Sequence, residues 1–276
     1  MNRRRFIQLG LTTTAGLIGT GCLAQSVTAP NQTRPKRGLG ISVKDGDHWR
    51  DKLETCGANW FYTWGPKAPE AIPGGIQFVP MIFGRKMEAL PPHIGEQLRQ
   101  QGSRELLGFN EPDQKHQSNV TVEKALELWP GMMDLGLRLG SPACTHPDRD
   151  WMKQFMQGVE SRNLRVDFIT VHSYGGLDVK ALMDQLAAVH EEFKRPLWIT
   201  EFGVGDWKAR TRAENRYHPE QIMAFMEKLL PQLDHCEYVE RYAWFPAEPD
   251  NIHLGPCALF NNDGSLTPVG KTYRSV

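Results

Sequence analysis

Leu106-Leu107-Gly108-Phe109-Asn110-Glu111-Pro112-Asp113 and Leu197-Trp198-Ile199-Thr200-Glu201-Phe202-Gly203 share one plan, a short apolar run that ends on a glutamate and a turn residue. Runs of this length, bounded by Gly or Pro, read as buried strands. Working outward, six similar runs appear, at 38–42, 59–64, 77–82, 138–141, 167–172 and 238–245. Helical spacing of apolar residues fills most of the gaps, at 48–56, 121–135, 151–160, 178–193 and 219–230, and a last helix starts near Thr267-Pro268. Strands alternating with helices imply parallel βαβ units, and eight of them suit a closed barrel. No Gly-x-Gly-x-x-Gly turn supports a nucleotide fold. The expectation is an α/β chain with a single (β/α)8 TIM barrel over residues 38–276.

The 276 residues are 40% hydrophobic and 23% charged, with a formal net charge of +0. These proportions allow a sizeable core and argue against disorder. They give no electrostatic footprint for nucleic acid or an anionic membrane, and a monomer without a transmembrane span in the mature body is expected. Residues 1–24 read as an export signal: Arg3-Arg4-Arg5-Phe6 precedes a short stretch of small and apolar residues, a pattern of the twin-arginine type. Cys22 follows Gly19-Thr20-Gly21 and resembles a lipoprotein site, with cleavage near Ala24 or Ala29 as the alternative. Residues 25–37 read as a tether. Cys56, Cys144, Cys236 and Cys257 are expected as buried thiols, a Cys236–Cys257 bridge being the alternative. No Cys or His spacing suggests a metal site, and no cofactor is expected.

Catalytic groups of such barrels sit at the C-terminal ends of strands. Those ends here carry Asn110 and Glu111, His172 and Tyr174, Glu201, and Trp244. Two facing carboxyls, one protonated and one ionised, can supply the acid and the stabilising group that breaking a glycosidic bond requires. Trp60, Tyr62 and Trp64 alternate onto one face of their strand and Phe61 onto the other. Alternation alone does not say which face is the barrel interior, and Trp64 lies nearest the rim. Trp207 follows the second glutamate on a loop.

Gly-Phe-Asn-Glu-Pro-Asp at 108–113, Val-His-Ser-Tyr at 171–174 and Trp-Ile-Thr-Glu-Phe-Gly at 198–203 resemble the family 128 glycoside hydrolases. Further matches are Lys36-Arg37-Gly38, 60–65, 78–81, 140–142 and 241–245, so the likeness covers about residues 36–276. The resemblance implies a retaining β-1,3-glucanase with Glu111 as acid/base and Glu201 as nucleophile. It implies that Asn110 holds the sugar 2-hydroxyl, that Tyr174 donates to Glu201 and that His172 orders the site. Trp244 would be the floor under the sugar and Trp64 a further contact. The alternatives are a glycosidase of the same clan acting on another β-glycan, such as mannan or xylan, and a glucan-binding protein without turnover.

Overall fold

The computed structural model describes residues 36–43 and 48–276. The export signal, Cys22 and most of the tether lie outside the described residues. Eight parallel strands follow in chain order: β1 (Arg37–Gly40), β2 (Trp60–Tyr62), β3 (Gln77–Phe78), β4 (Glu105–Leu106), β5 (Arg138–Leu139), β6 (Ile169–Ser173), β7 (Leu197–Phe202) and β8 (Val239–Trp244). The helices between them are α1 (His48–Thr55), α2 (Ile94–Gln100), α3 (Val122–Met133), α4 (Asp150–Ser161), α5 (Val179–Phe193) and α6 (Pro219–His235), and α7 (Pro268–Ser275) ends the chain. Helix α2 was not singled out in the sequence, where Ile94 and Leu98 are its only buried side chains.

The first strand pairs with both the second and the eighth, as closure demands. Continuous ladders join β3-β2-β1-β8-β7-β6, while β4 and β5 pair separately. Single bridges, Met81 to Leu107 and Gly140 to Phe168, complete the ring. Two prolines explain the thin ladders. Pro80 accepts from the Leu107 amide but has no N–H to return, and Pro142 falls between the Gly140-to-Leu106 and Ala143-to-Phe109 bonds.

Alternation sorts the strand side chains into two layers. Trp60, Tyr62, Val79, Met81, Leu107, Phe168, Trp198 and Ala243 fill the interior. Phe61, Leu106, Leu139, Ile169, Val171, Leu197, Ile199, Tyr242 and Trp244 face the helices. The face shared by Trp60, Tyr62 and Trp64 is therefore the interior. Strand β1 makes room for these rings by having no side chains there: a Cβ on Gly38 would lie 2.4 Å from the Trp60 indole, and one on Gly40 2.9 Å from the Tyr62 ring. Arg241 closes the lower end, its guanidinium 4.2 Å from the Trp198 ring centroid. Cys56, Cys144, Cys236 and Cys257 are free thiols, so the Cys236–Cys257 bridge does not form. Lys36 and Arg37, assigned to the tether, belong to the barrel: Arg37 begins β1 and the Lys36 ammonium donates to the Leu233 and Cys236 carbonyls.

Candidate active site

Regular alternation would not deliver Glu201 to the barrel mouth. In β7, Trp198 points in and Ile199 out, so Glu201 would follow Ile199 toward the helices. The register shows what prevents this: Val171 pairs with Ile199 but His172 pairs with Glu201, leaving Thr200 as an extra residue in β7. The bulge turns Glu201 inward, beside His172. Glu111 reaches the same place by another backbone departure. Its φ is 41°, in the left-handed region, and its amide donates to the Ala143 carbonyl at 2.7 Å. A non-glycine residue held there stores strain that its surroundings must support.

The two carboxylates meet around His172. The imidazole Nδ1 lies 3.0 Å from Glu111 Oε1 and 3.6 Å from Glu201 Oε2. One oxygen of each carboxylate and a ring nitrogen of His172 all fall within 4.8 Å of one another. His172 is 1% exposed, Glu201 5% and Glu111 8%. The surroundings of the glutamates differ. Glu201 accepts from the Tyr62 hydroxyl at 3.0 Å, the Trp64 indole at 2.8 Å and the Tyr174 hydroxyl at 2.5 Å. Three donors facing one carboxylate suit an anion in fixed orientation. Glu111 has the His172 ring as its side-chain hydrogen-bond partner. Burial, and then the Glu201 charge, push the Tyr62 and Tyr174 phenols well above their ordinary range, so both remain donors. Burial disfavours the His172 cation, but the Glu201 charge and the Glu111 hydrogen bond and charge outweigh it and raise the imidazole above its usual value.

The site opens into a cleft of about 880 Å³ whose lining includes Trp64, Asn110, Glu111, His172, Tyr174, Glu201, Trp207 and Phe245. No lysine or arginine is among the described residues that line it. A second cavity of about 590 Å³ shares Trp64 and Phe245 with it. Asn110 is buried at the cleft wall, where its amide nitrogen donates to Gln117 at 3.4 Å and its Oδ1 has no partner among the described residues.

Six of the seven residues expected at the site line the cleft, and Trp244 does not. It is 0% exposed, packs in the helix-facing layer and donates its indole N–H to the Cys257 carbonyl. The inward residue beside it is Ala243, and the aromatic ring of this strand end that reaches the cleft belongs to Phe245. Tyr62 was missed as a Glu201 partner, although its inward alternation with Trp64 was the available signal. Glu111, His172 and Glu201 are also the set among the described residues spaced to hold one metal ion. The aromatic donors already aimed at Glu201 would compete with an ion there.

A closed (β/α)8 barrel with two buried carboxylates converging at its C-terminal mouth is the architecture of a glycoside hydrolase. The model of the glycosyl hydrolase catalytic core matches residues 38–273, and the chain belongs to that family, within its GH128 branch. It is 33% identical to a GH128 subgroup I endo-β-1,3-glucanase from Amycolatopsis mediterranei solved with laminaritriose, with a TM-score of 0.76 over 87% of this chain and 98% of that one. A GH128 subgroup III curdlan-specific exo-β-1,3-glucanase from Blastomyces gilchristii is 28% identical, with a TM-score of 0.69 over 89% and 100%. Alkali-sensitive linkage protein 1 of Schizosaccharomyces pombe is 28% identical over 254 residues, 87% of this chain, and the chain spans 44% of that protein's length.

Proposed function

We propose that this chain is a retaining endo-β-1,3-glucanase that works by double displacement, with Glu201 as nucleophile and Glu111 as acid/base. The observation that carries the reading is the convergence of both carboxylates on His172 Nδ1, at 3.0 and 3.6 Å, with one oxygen of Glu111 within 4.8 Å of one of Glu201, a nearest-atom approach that favours the closer of two known spacings. Retaining enzymes hold their carboxyl groups about 5–5.5 Å apart, whereas inverting ones need about 6.5–9.5 Å for an intervening water. The roles follow from the surroundings. Glu201 is held by three donors, as an attacking carboxylate should be. Glu111 is left able to carry the proton that the leaving oxygen needs, and to take one from water in the second step. The bond broken is the glycosidic C1–O bond. The bond formed is an ester from C1 to Glu201, which water then cleaves to restore the carboxylate.

Asn110 Oδ1, a buried acceptor without a protein donor, suits a sugar hydroxyl beside the cleaved bond. Trp64 and Phe245 supply apolar faces for neutral rings. β-1,3-Glucan as the substrate rests on the likeness to the two glucanases. Endo action is supported by the likeness to the subgroup I endo-glucanase and by a second cavity that shares Trp64 and Phe245 with the cleft. The arginine-rich start and the stretch before Cys22 further support export, with a lipid anchor on Cys22 or cleavage nearby. Mass spectrometry of the N-terminus of the exported protein checks that part.

The test of the catalytic reading is laminarin digestion followed by proton NMR. The first product should be the β-anomer. Glu201→Ala should lose nearly all turnover while still binding laminari-oligosaccharides. Glu111→Ala should keep the first step on a substrate with a dinitrophenolate leaving group, and azide should restore turnover as the β-glycosyl azide. An α-anomer as first product, or an active Glu201→Ala enzyme, overturns the mechanism.

A further inference from the structure

Trp207 and Ile252 are the two large hydrophobic side chains that the described surface exposes, and Trp207 is 57% exposed at the wall of the cleft. An indole in water is a cost without a compensating contact in the free protein. Its position is nevertheless closely held. The indole N–H donates to the Tyr174 carbonyl at 3.3 Å, its ring meets the Tyr174 ring edge-on at 5.9 Å, and the His253 ring lies tilted 5.4 Å away. Gly205 leaves room for it, since a Cβ there would come 3.0 Å from the indole.

A clasp between two loops holds the same spot. Asp206, 3% exposed, accepts from the Lys208 and Arg216 amides and thereby folds the loop after β7 on itself. Its own amide donates to the His253 carbonyl and its carbonyl accepts from His253 Nδ1. Buried Asn215 donates its amide hydrogens to the Ile252 and His253 carbonyls at 2.9 and 3.0 Å. The loops after β7 and β8 are thus bonded to each other at the base of one exposed ring. The Tyr174 ring touches that indole and its hydroxyl donates to Glu201.

We infer that Trp207 is a sugar-stacking platform, fixed by the Asp206–Asn215–His253 clasp, that binds a β-linked hexopyranose ring of the glucan chain beyond the ring being cleaved. The indole N–H is engaged with Tyr174, so the surface left for a ligand is the flat, apolar one that sugar C–H faces match. Order in the free protein means that the ring loses little further freedom on binding. The inference rests on the glucanase reading for its ligand, and its signature is a dependence on chain length.

The experiment measures kcat/KM for the full chain, Trp207→Ala, Trp207→Tyr and Asn215→Ala. The substrates are laminarin, a laminari-oligosaccharide series and a short aryl β-laminaribioside. Trp207→Ala should lose about tenfold more on laminarin and on the longer oligosaccharides than on the aryl substrate. Trp207→Tyr, which keeps a flat ring, should recover most of the loss. Asn215→Ala should reproduce the length-dependent loss in protein whose melting shows that it is folded. A uniform loss on every substrate, no loss on laminarin, or no recovery with Tyr overturns the platform. Wild-type turnover of laminarin reads the glucanase activity itself, so its absence sinks the substrate assignment, while the ratio between variants sinks or sustains the platform. Isothermal titration of Glu201→Gln and Glu201→Gln/Trp207→Ala with laminarihexaose supplies that ratio without turnover.

Discussion

Replacing Tyr174 by Phe removes one hydroxyl and leaves the ring that packs against Trp207 and Phe245. The hydroxyl lost is the one 2.5 Å from Glu201 Oε2, among three donors that hold this carboxylate. A hydrogen bond to a charged partner contributes about 1.5–3 kcal/mol. In double displacement the bond matters most in the second step, where the ester oxygen leaves C1 and becomes a carboxylate again. Its loss should lower kcat about 10- to 150-fold, since each 1.36 kcal/mol is about tenfold. The assay compares kcat and KM on laminarin and on a dinitrophenyl laminaribioside. With the activated substrate the first step stays fast, so a burst of dinitrophenolate should precede the slowed steady state. A kcat within about twofold of wild type, or a loss confined to KM, would refute the role assigned to this hydroxyl.

Gly38→Ala places a methyl 2.4 Å from the Trp60 indole; this overpacking should cost about 1–3 kcal/mol and lower the midpoint of urea unfolding, whereas an unchanged midpoint would mean the interior has slack. Trp244→Phe removes a buried indole bonded to the Cys257 carbonyl; Tm should fall while KM for laminarin stays within about twofold, and a large rise in KM would return Trp244 to the sugar site. His172 is raised above its ordinary value, so it contributes stability that is fully present below the unfolded-state pKa of about 6.5 and is lost as pH rises through the higher folded value. Glu111, Glu201 and Asp113 are the charges that raise it. The Tm of wild type minus that of His172→Gln should therefore shrink from pH 6 toward alkaline pH, and a difference that grows would reverse the assigned sign.

The eight strands could be read because each is a short apolar run between Gly or Pro residues and long helical stretches. Helix α2 escaped because its seven residues, Ile94–Gln100, bury only two side chains and begin without a side-chain cap. Glu111 and Glu201 stood out because each ends a strand. The layer each strand-end side chain enters was not legible, because alternation fixes relative faces and not absolute ones. Trp244 shows the consequence. Its neighbour Ala243 occupies the interior, so the larger ring turns to the helices and the cleft is lined by Phe245, one residue further on. Trp207 offered no periodic signal at all. Its meaning comes from contacts between loops 46 positions apart, those of Trp207 and His253.

Both glutamates sit where the regular strand is abandoned, and the geometry of a small barrel gives that a reason. A residue in regular alternation has two destinations, the packed interior layer or the helix layer. Trp60, Tyr62, Phe168 and Trp198 already fill the first. A carboxylate sent there would be buried without water, and one sent outward would face Leu and Ile side chains. His172 reaches the mouth in step with Phe168, but the glutamates reach it where the backbone leaves the ladder. The extra residue at Thr200 does this for Glu201, and the φ of 41° does it for Glu111. Such conformations cost on the order of 1–3 kcal/mol each and persist only when neighbours hold them. The neighbours can be named: the Ala143 carbonyl takes the Glu111 amide, the Phe83 carbonyl takes the Asn110 amide, and the Asn110 carbonyl takes the Ser118 amide. The stability of the barrel thus maintains the close approach of two carboxyl groups that neither strand would adopt alone, and that approach is the property a retaining mechanism needs.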